Sequence, residues 1–249
     1  MINSIVFDSN KKSHLNDLKS LIYNVSLGCR VLSIKNYLNF FSINELMQFL
    51  KKEMNYTLDR RHFDYESNSA QSDWWTIAYD PEKDKVYTYS KTRQPLHTDN
   101  SWFSVPAEMN FFYMEKQVDN GGENTFYPID RLITDLQKDE PSLLDDLQSV
   151  EVIIKKGDSE DCNKTTIINE EKIYWNFYRT IKDDKITNDM CDHFFKYLGE
   201  KEATNSVETY KSESGDIFCF NDLTILHGRL AYHAIEKNDR VLHQSMWKL

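Results

Sequence analysis

The sequence predicts a mainly β protein, a sandwich or jelly roll carrying a few peripheral helices. Three observations predict it. Short runs rich in Tyr, Phe, Ile and Val recur between turn residues, helical periodicity is confined to a few segments, and the strict strand–helix alternation of a parallel βαβ fold is missing. The β-type runs are KVYTYS (85–90), EMNFFYM (108–114), VEVIIKK (150–156), KIYWNFY (172–178), DIFCF (216–220) and RVLHQSMWKL (240–249). No Gly-rich phosphate loop accompanies them, and Gly121-Gly122 is the only glycine pair.

Three helices are predicted. Ser42-Ile43-Asn44-Glu45 has the S-x-x-E form of a capping box, and Ile43, Leu46, Met47 and Leu50 follow at helical spacing. A second pattern runs through Leu132, Ile133 and Leu136, with a break near Pro141. A third places Met190, Cys191, Phe194, Phe195 and Leu198 on one face, with Gly199 as its expected C-cap. The polar stretch 155–172 between stronger β-runs is expected to include a mobile lid.

Composition excludes several classes of function. The chain has 249 residues, 40% hydrophobic and 28% charged, with 14 Tyr, 14 Phe and 5 Trp, too aromatic for a disordered protein. No repeat or linker divides it, so a single domain over 1–249 is expected, residues 1–90 supporting a core at 91–249. A net charge of −10 repels a phosphate backbone, so nucleic acid is not an expected partner. The four cysteines (Cys29, Cys162, Cys191, Cys219) form no C-x-x-C pair and read as reduced thiols. Neither a signal peptide nor a membrane-spanning stretch is visible, so a cytoplasmic protein acting on a small molecule is expected.

The histidines carry the chemistry. His97-Thr98-Asp99 sets an imidazole and a carboxylate two residues apart, and on a strand both side chains share a face. One further distant histidine would complete a two-His, one-carboxylate set, which leaves half of an octahedral iron(II) open to substrates. The motif alone says little: with 7 His and 40 acidic residues, about one H-x-D/E arises by chance. His62-Phe63-Asp64 has the same form. Context separates the two, because His97-Thr98-Asp99 is followed in order by Gly121-Gly122-Glu123-Asn124-Thr125, by Leu226-His227-Gly228-Arg229 and by Arg240-Val241-Leu242.

This ordered set resembles the TauD/TfdA branch of the iron(II)- and 2-oxoglutarate-dependent dioxygenases, over residues 97 to the C-terminus. The resemblance implies a double-stranded β-helix core. It implies His97, Asp99 and His227 as catalytic iron ligands, Arg240 as partner of the distal carboxylate of 2-oxoglutarate, and Thr125 as a hydrogen-bond donor to the same group. Iron(II), 2-oxoglutarate and dioxygen are the implied cofactor and cosubstrates, and hydroxylation the implied reaction, because related halogenases replace the carboxylate of Asp99 with Gly or Ala. A guanidinium suits a carboxylate through its rigid fork.

Trp102, Arg229 and Gln244 are the candidate substrate residues; His233 and His243 have no implied ligand role. Relatives that bind sulfonates often carry a second arginine at the position of Gln244, whose amide has no charge to hold one. An amino acid, amine or specialised metabolite is therefore the expected substrate. Two further departures are the extra residue in Gly-Gly-Glu-Asn-Thr and the order Asn221-Asp222. A non-redox metal enzyme would use the same three ligands without Arg240. A vestigial binding protein would be expected to have lost one of them. The sequence leaves the oligomeric state open.

Overall fold

The computed structural model describes residues 2–6, 12–35, 42–61, 73–157 and 160–249. The His62-Phe63-Asp64 motif lies outside them. In order, the elements begin with β1 (Ile2–Val6), α1 (Lys12–Ser26), β2 (Val31–Lys35), α2 (Ile43–Lys52), β3 (Thr57–Leu58), β4 (Trp75–Ala78), β5 (Gln94–His97), β6 (Met109–Lys116) and β7 (Asn124–Pro128). They continue with α3 (Ile129–Asp139), α4 (Pro141–Ser149), β8 (Glu151–Lys155), β9 (Cys162–Thr166), β10 (Ile168–Asn169), β11 (Lys172–Ile173), β12 (Thr180–Ile181) and α5 (Lys185–Ala203). The last strands are β13 (Glu208–Tyr210), β14 (Ile217–Asn221), β15 (Ile225–Arg229) and β16 (Val241–Lys248).

Two sheets form the jelly roll. The larger runs β1-β2-β14-β6-β16-β3, with β4 also on β16; the smaller runs β13-β7-β15-β5. Between them sits an aromatic core in which Phe112, Phe218, Phe220 and Leu242 of the large sheet meet Phe126 and Ile225 of the small one. Phe126 meets Phe218 edge-on, the ring centroids 6.2 Å apart. Outside the large sheet, α1 and α2 pack Leu18, Ile22, Leu46 and Leu50 against Phe111, Cys219 and Trp247. The helices α3, α4 and α5 cover the small sheet with Leu132, Leu136, Leu147, Phe194 and Leu198. Strand β14 is buried on both faces, which accounts for its unbroken apolar run.

The helix signals are realised in detail. Ser42 and Glu45 complete the capping box that starts α2, and Pro141 opens α4 at the break after α3. Three expectations need correction. KVYTYS folds as a 3-10 turn at Tyr87–Tyr89, held by the Val86 N–H donating to Lys83 and the Tyr89 N–H donating to Val86. KIYWNFY is strand only at Lys172–Ile173; beyond it Trp175 is tied by its backbone to Thr98. Gly199 does not end α5, which continues to Ala203 and stops where Asn205 takes up a left-handed conformation (φ 54°). Within the stretch 155–172, Cys162–Thr166 pairs antiparallel with β8 in a separate three-stranded sheet, β12-β8-β9.

Candidate metal centre

The three predicted ligands converge. His227, in the middle of β15, is the register partner of His97, the last residue of β5. Their rings lie 4.4 Å apart. Asp99 sits beyond the strand end, so it reaches the histidines through a turn rather than by strand alternation. Asn100, left-handed at φ 57°, shapes that turn. The Asp99 carboxylate lies between the two rings, its Oδ1 3.5 Å from His97 Nε2 and its Oδ2 3.3 Å from His227 Nε2. One ligand atom from each residue falls within 4.8 Å of the others, the only such group of three or more among the described residues.

The surroundings fix these side chains. The Nδ1 of His97 lies 2.9 Å from the carbonyl of Pro95, which favours a proton on Nδ1 and leaves the Nε2 lone pair toward Asp99. Asp222, in the corner linking β14 to β15, holds both sides of the site. Its Oδ2 accepts the Asp99 N–H at 2.8 Å, and its Oδ1 lies 3.1 Å from His227 Nδ1. Asp99 Oδ2 also accepts from Gln244 at 2.6 Å and from Asn110 at 2.9 Å. Burial opposes charge on His227, but Asp99 and Asp222 outweigh it and lift the imidazole to about 10. Burial likewise lifts the Asp222 carboxyl to about 6 against the pull of His227. Asp99 is buried too, yet the adjacent imidazoles hold it well below the usual carboxylate range.

Two cavities meet at these ligands. The smaller, about 80 Å³, is lined by Phe112, Phe126, Phe218, Leu242, Arg229 and Arg240. Arg240 is 1% exposed, and its Nε donates to Gln117 Oε1 at 3.3 Å. Its Nη2 has no partner among the described residues. Burial, with Arg229 nearby, drops the guanidinium to about 9. Gly122 makes room for it: a Cβ there would stand 3.3 Å from Arg240 Nε, on a backbone at φ 76°. The larger cavity, about 310 Å³, opens on the other side of His97 and Asp99 and is walled by Trp102, Tyr87, Phe177, Tyr178 and Arg179.

The remaining predicted residues divide. Trp102 lines the larger cavity. Arg229 lines the smaller one, but its Nη2 donates to the carbonyls of Ser90 (2.8 Å) and Thr92 (2.5 Å), anchoring that loop. Thr125 points away from both cavities, and its hydroxyl donates to Glu202 at 3.1 Å. Strand alternation explains the correction: Asn124 and Phe126 face the small cavity, whereas Thr125 lies opposite Gly228 on the other face. Gln244 borders both cavities but is a support of Asp99. His243 is bound to Glu115 and Thr76, away from the ligands.

Sequence reasoning missed Asn110, Asn124 and Asp222. A polar residue inside the apolar run EMNFFYM was the available signal for Asn110. The unusual Asn221-Asp222 order pointed at Asp222.

The sequence model of the taurine catabolism dioxygenase TauD, TfdA family matches residues 10–246. The chain belongs to the TauD/TfdA family. Among solved structures, the non-heme iron oxygenase OrfP in complex with Fe and alpha-ketoglutaric acid is similar at TM-score 0.66 and 12% identity, over 99% of this chain and 93% of OrfP. OrfP in complex with Fe, succinate and (3S)-hydroxy-L-Arg gives the same TM-score, 0.66, at 12% identity over the same shares. Asparagine oxygenase gives TM-score 0.58 at 11% identity, over 70% of this chain and 54% of that one. No curated protein sequence matches. The TauD/TfdA chain thus has the double-stranded β-helix core that its resemblance implied, and no helix among the described residues is long and apolar enough to cross a membrane.

Proposed function

We propose that this TauD/TfdA-family protein is an iron(II)- and 2-oxoglutarate-dependent oxygenase. It oxidises a C–H bond of a small polar metabolite, an amino acid or a related intermediate of specialised metabolism, and releases succinate and carbon dioxide. One observation carries the reading. A two-His, one-carboxylate set and an unpartnered buried guanidinium border the same small cavity. A non-redox metal enzyme has no use for that arginine.

The residues fit the groups they would hold. Two imidazole Nε2 atoms and a carboxylate suit iron(II) and leave three positions of an octahedron free. When bound, iron supplies the oxygen-activating chemistry, with 2-oxoglutarate as the electron donor. Arg240 takes the distal carboxylate of 2-oxoglutarate, since a buried cation without an anionic partner is strongly disfavoured until one arrives. Asn124 faces that cavity in place of Thr125 and offers an amide to the same cosubstrate. Phe112, Phe126, Phe218 and Leu242 keep water from it.

Asp222, Asn110 and Gln244 keep Asp99 and His227 aimed at one point. Because Asp99 occupies the position that a halide would need, hydroxylation is the expected outcome. The ligands named for OrfP and asparagine oxygenase, hydroxylated arginine and asparagine, support an amino-acid-like substrate.

The test is an anaerobic visible spectrum of metal-free protein titrated with iron(II) and then 2-oxoglutarate. A charge-transfer band that needs both additions and disappears in His227→Ala is expected. Well-folded, iron-loaded protein without the band would overturn the proposal.

A further inference from the structure

Arg179 is the only lysine or arginine lining the larger cavity among the described residues. Apart from Asp99, no acidic side chain lines it among the described residues. Arg179, an exposed residue whose backbone N–H is tied to Asn176, lines it, and its guanidinium pairs with no carboxylate among the described residues. That guanidinium lies 5.9 Å from the centre of the Trp102 ring, and Lys156 Nζ lies 5.8 Å from the same ring. On the adjoining wall, Lys182 Nζ stands 3.3 Å from the centre of the Phe177 ring and donates to the Phe177 carbonyl. Arg179 itself lines the cavity, and Lys156 and Lys182 stand over two of its aromatic wall residues, Trp102 and Phe177, in a protein of net charge −10.

Their arrangement suits one kind of ligand end. The guanidinium stands within cation–π range of Trp102, and its fork matches a planar, two-oxygen acceptor. The indole N–H of Trp102 is also buried without a partner. A substrate ammonium, by contrast, would find no carboxylate here other than Asp99, which belongs to the metal set. His97 and Asp99 line the same cavity, so a ligand held by Arg179 shares it with two of the candidate metal ligands.

We propose that the larger cavity selects substrates bearing a carboxylate, held by Arg179 against Trp102, with the carbon to be oxidised directed toward His97 and Asp99. This rests on the oxygenase reading above and narrows its substrate class: a free amine lacking a carboxylate is excluded. Arg179 is then a specificity-determining residue at the far end of the substrate from the reacting bond, and the position of Gln244 is released to support Asp99 instead.

The experiment uses full-length protein loaded anaerobically with iron(II) and 2-oxoglutarate. The probes are monocarboxylates, which avoid competition at Arg240: the neutral protein amino acids and small monocarboxylic acids. Each is paired with its primary amide and, for the amino acids, with the decarboxylated amine. The readouts are the shift of the charge-transfer band on probe binding and, after oxygen is admitted, succinate formed.

At least one acid is expected to shift the band and its amide and amine not to. Arg179→Gln should need about 10 to 100 times more of that acid for the half-maximal shift, as loss of a charge-assisted hydrogen bond does. Arg179→Lys should recover part of the loss, and both variants should form the unshifted band as the parent does. Acids and amides binding alike, amines alone binding, Arg179→Gln binding acids like the parent, or no probe shifting an intact band would each overturn the assignment. Absence of the band in the parent protein would instead overturn the oxygenase reading, and this inference with it.

Discussion

Gln244 Nε2 lies 2.6 Å from Asp99 Oδ2 and 3.0 Å from Asn110 Oδ1, so one amide ties the carboxylate of the candidate metal set to strand β6. The position is thereby explained from within the site. An arginine there would bring a cation to the substrate side of Asp99; the glutamine instead completes a neutral cradle in which two amides point their N–H groups at one oxygen. The carboxylate keeps its charge and its direction without help from bulk water.

Gln244→Leu removes the shorter of those two hydrogen bonds while filling the same volume. Iron(II) affinity should fall by about 10- to 100-fold, the usual consequence of losing a partner of a metal ligand. An anaerobic iron titration checks it. Unchanged affinity would show that Asn110 and Asp222 position Asp99 without Gln244. Succinate formed in response to sulfonates by the parent protein would contradict the specificity read from this glutamine.

Arg240 gives the most direct test of the cosubstrate assignment. Arg240→Gln should leave iron binding within a fewfold of the parent and raise the 2-oxoglutarate requirement by about 30-fold or more, since truncating one member of a buried charge pair costs roughly 2–5 kcal/mol. Arg240→Lys should rescue little, because a lysine cannot supply the two-pronged geometry. Titrating the charge-transfer band with 2-oxoglutarate separates the two affinities. Equal loss of iron binding would move Arg240 from cosubstrate holder to structural support.

The parts legible in sequence are those that local chemistry decides. The Ser42–Glu45 box needs only four adjacent residues, and it starts α2 as expected. The candidate ligands His97, Asp99 and His227 and the candidate partner Arg240 stood out because they belong to an ordered set. Thr125 failed for a geometric reason. Strand alternation assigns a residue to one face or the other, and a single-residue offset in Gly-Gly-Glu-Asn-Thr puts Asn124 on the cavity side. KVYTYS failed because its β-type composition carries no information about whether a strand partner exists. Asp222 and Asn110 act across long sequence separations, 123 residues to Asp99 for one and 11 for the other, and short motifs do not record such pairs.

The titration of the site predicts different pH responses for metal and cosubstrate. In metal-free protein His227 is protonated up to about pH 10 and must lose that proton to bind a metal. Apparent iron(II) affinity should therefore rise about tenfold per pH unit between pH 7 and 9. Burial lowers Arg240, yet a guanidinium keeps its proton across this range, so 2-oxoglutarate affinity should stay level between pH 7 and 9.

Stability follows the same proton. The His227 pKa is raised above its unfolded value of 6.5, so its stabilisation of the metal-free fold is complete below pH 6.5 and is lost as pH rises toward 10. Iron-loaded protein, with that proton already displaced, should escape this loss. Thermal unfolding of both forms across pH 6–10 checks it; parallel curves would contradict it.

Gly228 tests how closely the ligand strand is seated. A Cβ at this position would lie 2.7 Å from the carbonyl oxygen of Gln94 and 2.8 Å from Thr125 Oγ1, closer than such atoms approach. The first obstacle is backbone, so the strand bearing His227 must move rather than a side chain swing aside. Gly228→Ala is predicted to destabilise the fold by about 1–3 kcal/mol, the usual cost of overpacking. It should also lower iron affinity, because His227 is the adjacent residue and its ring is aligned with His97 by the same pairing. Unfolding of metal-free variant and parent measures the first effect, and iron titration the second. A variant as stable as the parent that binds iron equally would show that β5 and β15 can separate without disturbing the site.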